Sequence, residues 1–194
     1  MVELKGLRDY LESSYNDSVF DTITDSQAPW SFHLHGQRVV TGMLLENRQY
    51  EIQLKQEEKE EEEEIPKIEI KLAYPHDLAE RILPLIKKKD KKTAKKNLGP
   101  IIEVKNRHFI KNKTLYPLMM EKEVVFFTLL EGEVIRGIIT GFSRFDITMG
   151  LKGGVPLTFL RHSIVDARNK KGRCLLKSTQ QTSRDWKKSA LFSD

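Results

Sequence analysis

Four residues of this 194-residue chain, Arg144, Phe145, Arg161 and His162, set cations and a hydrogen-bonding ring beside an aromatic plane. That combination suits a nucleotide: Phe145 can stack on a base, Arg161 can hold a phosphate or a base carbonyl, and neutral His162 can donate or accept at a base or ribose edge. Arg144, next to the aromatic, adds a second cation. A purely architectural reading stands beside this one. In it the aromatic is a packing residue and the histidine a hydrogen-bonder at a strand end.

The elements that would position these residues are short strands. Gly137 to Met149 reads G-I-I-T-G-F-S-R-F-D-I-T-M, with Ile139, Phe145, Ile147 and Met149 apolar between polar neighbours. This is the period of a half-buried strand interrupted by a turn. Lys152-Gly153-Gly154 then turns the chain into Val155 to Leu160, which gives an antiparallel meander punctuated by glycines. Setting Gly42 beside Gly137 aligns G-M-L-L-E-N-R-Q-Y-E-I-Q-L with that stretch without a gap, pairing Tyr50 with Phe145 and Glu51 with Asp146. The chain therefore reads as an internal repeat. Strands are expected from Trp30 to Leu54 with turns near Gly36 and Asn47, and one strand from Ile65 to Tyr74. Leu78 to Ile86 is expected to complete the first unit.

The order G-x-I-x-x-F-x-x-F-x-I-x-M, a short turn, then Arg161-His162 followed by a small residue and Ile, resembles the Sm-like core of Hfq-type RNA chaperones. The resemblance covers roughly Leu115 to Arg168. It implies an all-β protein of two tandem Sm-like five-stranded bent barrels with a short N-terminal helix. It also implies binding of U-rich or A-rich single-stranded RNA in post-transcriptional regulation. Arg144, Phe145, Arg161 and His162 would form the uridine-binding rim of the second repeat, with an extra polar contact near Lys111. In the first repeat the matching positions are Gln49, Tyr50 and His76, where Pro75 replaces the cation and Asp77 adds a negative charge. Ring assembly is implied as well: the last strand of one barrel pairs with the fourth of the next, and three chains give a pseudo-hexameric ring.

The boundaries expected from the resemblance, the repeat and the shifts in composition are these. Residues 1–28 form an N-terminal helix and loop, 29–86 the first Sm-like unit, 87–113 a basic linker with a possible extra strand at Ile101 to Ile110, 114–176 the second unit, and 177–194 a polar tail. Residues 1–86 carry 9 Lys and Arg against 18 Asp and Glu, a net −9, whereas residues 87–194 carry 24 against 10, a net +14. Nucleic acid is drawn to the second half and repelled by the first. Two charge runs make the contrast local. Glu57 to Glu64 holds seven Glu and Lys59, read as a solvated hairpin tip that is either inert, a partner site or a competitor for a basic surface. Lys87, Lys88, Lys89, Lys91, Lys92, Lys95 and Lys96 lie in an extended, mobile linker that is either a spacer or a phosphate-attracting arm.

Enzyme chemistry finds little support. His33 and His35 share a strand face, but nothing at a suitable spacing completes a metal set, and no nucleophile motif or phosphate loop occurs. No cofactor is expected. Cys174 is the only cysteine, and the absence of a long apolar run or signal-peptide pattern makes a soluble cytoplasmic protein the expectation. The tail, with Trp186 and Leu191-Phe192, reads as disordered with a docking segment near its end. A protein-interaction scaffold that keeps the barrels without an RNA ligand is the alternative function.

Overall fold

The computed structural model describes residues 4–56 and 62–176. Glu57 to Glu61, within the expected acidic tip, and the tail from Lys177 lie outside the described residues. Along the chain run α1 (Leu7–Ser14), α2 (Val19–Ser26), β1 (Pro29–Leu34), β2 (Val39–Asn47), β3 (Glu51–Gln56), β4 (Glu62–Pro66) and β5 (Ile70–Pro75). Then follow α3 (Ala79–Ile86), α4 (Lys91–Ala94), α5 (Asn112–Met120), β6 (Val124–Leu129), β7 (Val134–Phe142), β8 (Asp146–Gly150), β9 (Pro156–Leu160) and β10 (Ile164–Asn169). The protein is broadly all-β. All ten strands form one antiparallel sheet in the order β10-β6-β7-β8-β9-β5-β1-β2-β3-β4.

Each half of that sheet has the same internal order, and the registers repeat. Pro29 pairs with Met43 as Val124 pairs with Ile138, so the first three strands of the two halves are offset by the spacing of Gly42 and Gly137. Both halves break register at the same place, between Leu44 and Glu46 and between Ile139 and Gly141. The two glycines have one physical reason. A Cβ on Gly137 would stand 2.5 Å from the carbonyl oxygen of Gly150, and a Cβ on Gly42 would collide with that of Lys55.

The halves are joined through β5 and β9, where Leu72 pairs with Phe159 and Ala73 with Thr158. A fifth strand of one unit thus meets the fourth strand of the other inside a single chain. The cores interlock across this seam. Leu72 and Tyr74 of β5 belong to the apolar cluster of the second unit, with Phe127, Ile139, Ile147 and Phe159, while Leu160 of β9 joins Phe32, Ile52, Leu54 and Ile70 in that of the first. Near Lys71 the β1–β5 register slips by one residue, a bulge that re-aims the side chain there. The Lys71 ammonium, 1% exposed, bonds Glu131 and lies 2.5 Å from Glu133 in the β6–β7 turn of the other unit. Glu131 also accepts a hydrogen bond from the Gly36 amide, so two turns and a strand converge on one buried charge cluster.

Several expectations from sequence are corrected. Leu78 to Ile86 is not a strand: Ile82 and Ile86, four apart and both buried, are the core face of α3, which keeps Pro84 inside it at the loss of one backbone N–H donor. The expected single strand from Ile65 to Tyr74 is two strands, broken by a 3-10 turn at Lys67–Glu69. The loop expected after the first helix holds α2, capped by the Ser18 hydroxyl accepting from the Phe20 amide. Ile101 to Ile110 forms no strand. Glu62 to Glu64 belong to β4, so from the paired Lys55 and Glu62 the first hairpin is only one residue longer than the second, measured from Gly150 and Pro156.

The lysine linker is also not free. Asp90 donates its amide to Gly132 O and accepts with its carboxylate from the Thr93 amide, Val134 donates to Lys88 O, and the turn of helix α4 rests beside the β6–β7 turn.

Replacing Lys71 with Met strands two carboxylates at the seam. The expected loss is about 3–5 kcal/mol in denaturant-induced unfolding, with part of it recovered when Glu131 and Glu133 are changed to Gln in the same chain.

Candidate nucleic-acid interface

The β2–β3 and β7–β8 turns occupy equivalent positions and are built alike. In each, the carbonyl of the aromatic residue accepts a backbone amide from the residue just after the fourth strand: Tyr50 O from Lys67, and Phe145 O from Arg161, both at 2.8 Å. In the second turn the Ser143 hydroxyl also accepts from the Phe145 and Asp146 amides. The backbone is held down and the rings point outward. Tyr50 is 74% exposed and Phe145 49%, so neither aromatic is a core residue. Arg144 is exposed with its guanidinium 5.8 Å from the Phe145 ring centroid, and the Gln49 amide donates to the Tyr50 hydroxyl at 3.0 Å.

Arg161 and His162, by contrast, are half-buried and turn polar atoms toward neighbouring elements. Arg161 bonds the Asn112 side chain at 3.2 Å and lies over the Phe142 ring, with its Nε and Nη1 buried and without hydrogen-bond partners. Burial pushes its pKa down, although a guanidinium stays charged at any physiological pH. His162 Nε2 meets the Ile70 carbonyl oxygen at 3.0 Å, and the adjoining Ser163 hydroxyl bonds the Lys71 carbonyl at 3.2 Å. This turn clasps β5. Burial lowers the His162 pKa to about 4, so the ring is neutral and its Nε2 proton faces that carbonyl.

The N-terminal segment covers the same region. The Tyr10 hydroxyl donates to Phe142 O at 2.9 Å and accepts from the Phe142 amide at 2.8 Å; Tyr15 O accepts from the Arg144 amide at 2.7 Å. Val19 donates its amide to Asp146, whose carboxyl is pushed up by burial. Of the residues expected at the second-repeat rim, only Arg144 and Phe145 are exposed. Lys111 stands at the N-terminus of α5, half-buried.

The first repeat also differs from expectation. His76 is exposed and its Nδ1 meets the Ser31 hydroxyl at 2.9 Å, but it follows the fifth strand, not the fourth. The positional partner of Arg161 is Lys67, because Pro66-Lys67-Ile68-Glu69-Ile70 follows β4 as Leu160-Arg161-His162-Ser163-Ile164 follows β9. Pro75 therefore does not replace the cation. The Lys67 ammonium bonds the Arg48 carbonyl and lies 5.3 Å from the Phe20 ring, and burial lowers its pKa. The cation-then-Ile spacing of Lys67 and Ile70 against Arg161 and Ile164 was the signal that could have placed it.

All seven linker lysines are exposed, but they sit beside the β6–β7 turn. Nine residues of β7 separate them from Phe145, roughly 26 Å of strand. Sequence reading also missed Lys71, and it placed His33 and His35 on one strand face, whereas β1 ends at Leu34 and His35 lies in the 3-10 turn after it. His33 Nε2 meets the Tyr74 hydroxyl at 2.9 Å, its pKa lowered to about 4 by burial and then by Lys71. His35 is buried beside Glu131, and burial pushes its pKa down as well. Among the described residues no group of three or more His, Cys, Asp and Glu side chains is arranged to hold a metal ion, and no helix is long and apolar enough to cross a membrane. No protein-family model matches the chain, and no curated protein matches it.

His33 and His162 make acid sensitivity measurable. Both have folded pKa values near 4 against about 6.5 unfolded, so between those limits the unfolded chain binds more protons and stability is lost as the pH is lowered. Each is expected to contribute on the order of 3 kcal/mol across this window, with no further loss from these two groups below it. Urea unfolding at pH 7, 5.5 and 4.5, with His162→Gln flattening the slope, checks this.

Proposed function

We propose that the chain is a non-catalytic RNA-binding protein of the Hfq/Sm-like type, acting on U-rich or A-rich single strands in post-transcriptional regulation in the cytoplasm. The observation that carries this reading is the pair of exposed aromatics, Tyr50 and Phe145, at equivalent turns of the two halves. An exposed aromatic beside a polar or cationic residue is a stacking platform that tolerates any base. Phe145 with Arg144, and Tyr50 with Gln49, take the stacked bases. The linker lysines take phosphate elsewhere along the strand, contributing affinity without base preference. Arg161 and His162 act in this reading as supports for the platform. Assembly through the end strands, up to three chains in a ring, belongs to the same proposal.

A protein-interaction scaffold is the second reading, favoured by one observation: His162 and Ser163 spend their side-chain hydrogen bonds on β5, and Arg161 one of its own on Asn112.

Phe145→Ala with Tyr50→Ala is expected to weaken binding of a uridine oligonucleotide about 10-fold or more, since a stacked base is worth about 1–3 kcal/mol. Thermal unfolding should shift little, because neither ring is packed in the core. Unchanged affinity in the folded double variant favours the scaffold.

Changing Lys87, Lys88, Lys89, Lys91 and Lys92 to Gln is expected to flatten the dependence of log affinity on log salt by about 0.7 per lost single-strand phosphate contact. Sequence preference, measured with uridine and adenosine oligonucleotides, should not change.

A further inference from the structure

The two end strands of the sheet are β4 and β10, the same two kinds of strand that β9 and β5 join at the seam. Applying the internal register again places β4 of one copy against β10 of the next. Ile65 and Glu64 stand where Phe159 and Thr158 stand, opposite Ile52 and Gln53 as those are opposite Ile147 and Thr148. Asp166 and Ala167 stand where Leu72 and Ala73 stand, opposite Thr128 and Phe127 as those are opposite His33 and Phe32. Ile65 then faces Asp166, Glu64 faces Ala167, and Glu63 faces Arg168. The charges agree with this register. Acidic Glu62, Glu63 and Glu64 lie on one end strand, and Arg168, Lys170, Lys171 and Arg173 lie on and just beyond the other.

The β10 edge is already covered, however. After Asn169 the chain turns at Gly172, whose φ is 77°, and runs back along β10. Asn169 donates to Arg173 O and Leu175 donates to Ala167 O, with Arg168 and Cys174 paired between them. Arg168 Nη1 donates to Gly172 O at 3.1 Å, so the residue that would face Glu63 is held by the turn. Leu175, 4% exposed, pins the segment to the core of the second unit.

What fastens the internal seam is missing from the external one. Ile68 and Glu69 stand in place of His162 and Ser163, so no side chain donates to the neighbouring strand's carbonyls. Val165 stands in place of Lys71, and Gly36 and Arg38 in place of Glu131 and Glu133, so there is no buried ion cluster.

We infer that β4 of one copy and β10 of a second form a weak head-to-tail interface, and that the strap from Gly172 to Leu175 holds that interface closed until it is displaced. This rests on the assembly part of the proposed function and not on its RNA part. The internal junction is permanent because it is clasped and charge-locked. The external one is conditional, since an unsheathed edge is a template for pairing but a covered edge is not.

Light scattering of the full chain at micromolar concentration tests this. The wild type is expected as single chains. Gly172→Val, which forces a β-branched residue into the left-handed turn, and Leu175→Ser, which removes the pin, are expected to give concentration-dependent particles of up to three chains that dissolve with salt. Adding Arg168→Glu should abolish them, and adding Glu63→Lys as well should restore them. A wild type that already assembles to the same size overturns the strap while keeping the interface. Folded strap variants that stay single overturn the interface itself, and oligonucleotide titration then reports separately on RNA binding. Hydrogen exchange on the wild type decides if the variants do not fold: the Leu175 and Asn169 amides are expected to exchange faster than the β10 amides bonded to β6. Equal protection overturns a displaceable strap.

Discussion

The Lys71 ammonium between Glu131 and Glu133 is the interaction on which the arrangement depends. A buried cation is costly unless paired and hydrogen-bonded, and here both carboxylates come from the other half of the molecule. The bulge in β5 turns Lys71 toward them, and the same segment offers the Ile70 and Lys71 carbonyls to His162 and Ser163. Strand pairing, charge and hydrogen bonds thus meet over three residues. Two five-stranded units become one ten-stranded sheet because neither side of this cluster can be left without the other.

That seam divides the labour between the repeats. The 3-10 turn after the fourth strand is spent on clasping in the second half, where it reads Arg161-His162-Ser163, and has no such donors in the first, where it reads Lys67-Ile68-Glu69. The aromatic turns are anchored to these 3-10 turns by the same backbone bond in both halves, so Tyr50 and Phe145 project alike although their surroundings differ. The two halves therefore share backbone geometry more closely than side-chain chemistry. Backbone pairing is dictated by strand period and by glycines such as Gly42 and Gly137, while polar side chains only have to find partners.

The N-terminal segment adds a second asymmetry. Tyr10, Tyr15 and Val19 satisfy backbone and carboxylate groups of the β7–β8 turn, and α1 and α3, from the acidic half of the chain, pack into the core of the second unit. Charge separation along the sequence is thus folded back on itself. The ends of the sheet still carry it, acidic at β4 and basic beyond β10.

Read by itself, the sequence determined the repeat, the positions of β1 to β3 and of β7 and β8, the β2–β3 and β7–β8 turns and the prominence of Phe145 and Tyr50. Alternation with period two and glycines at close backbone approaches are local signals. It could not place the break at Lys67–Glu69, since Ile65, Ile70, Leu72 and Tyr74 alternate across it as well as within one strand. Nor could it separate a strand from a helix over Leu78 to Ile86, where a short apolar run fits either period until the core it meets is known. Arg161 and His162 carry the chemistry of a nucleotide site in any linear reading. Only the tertiary structure decided that β5 and Asn112 take their hydrogen bonds, because burial and partnership belong to the neighbours that folding brings, and those neighbours lie 49 to 92 residues away.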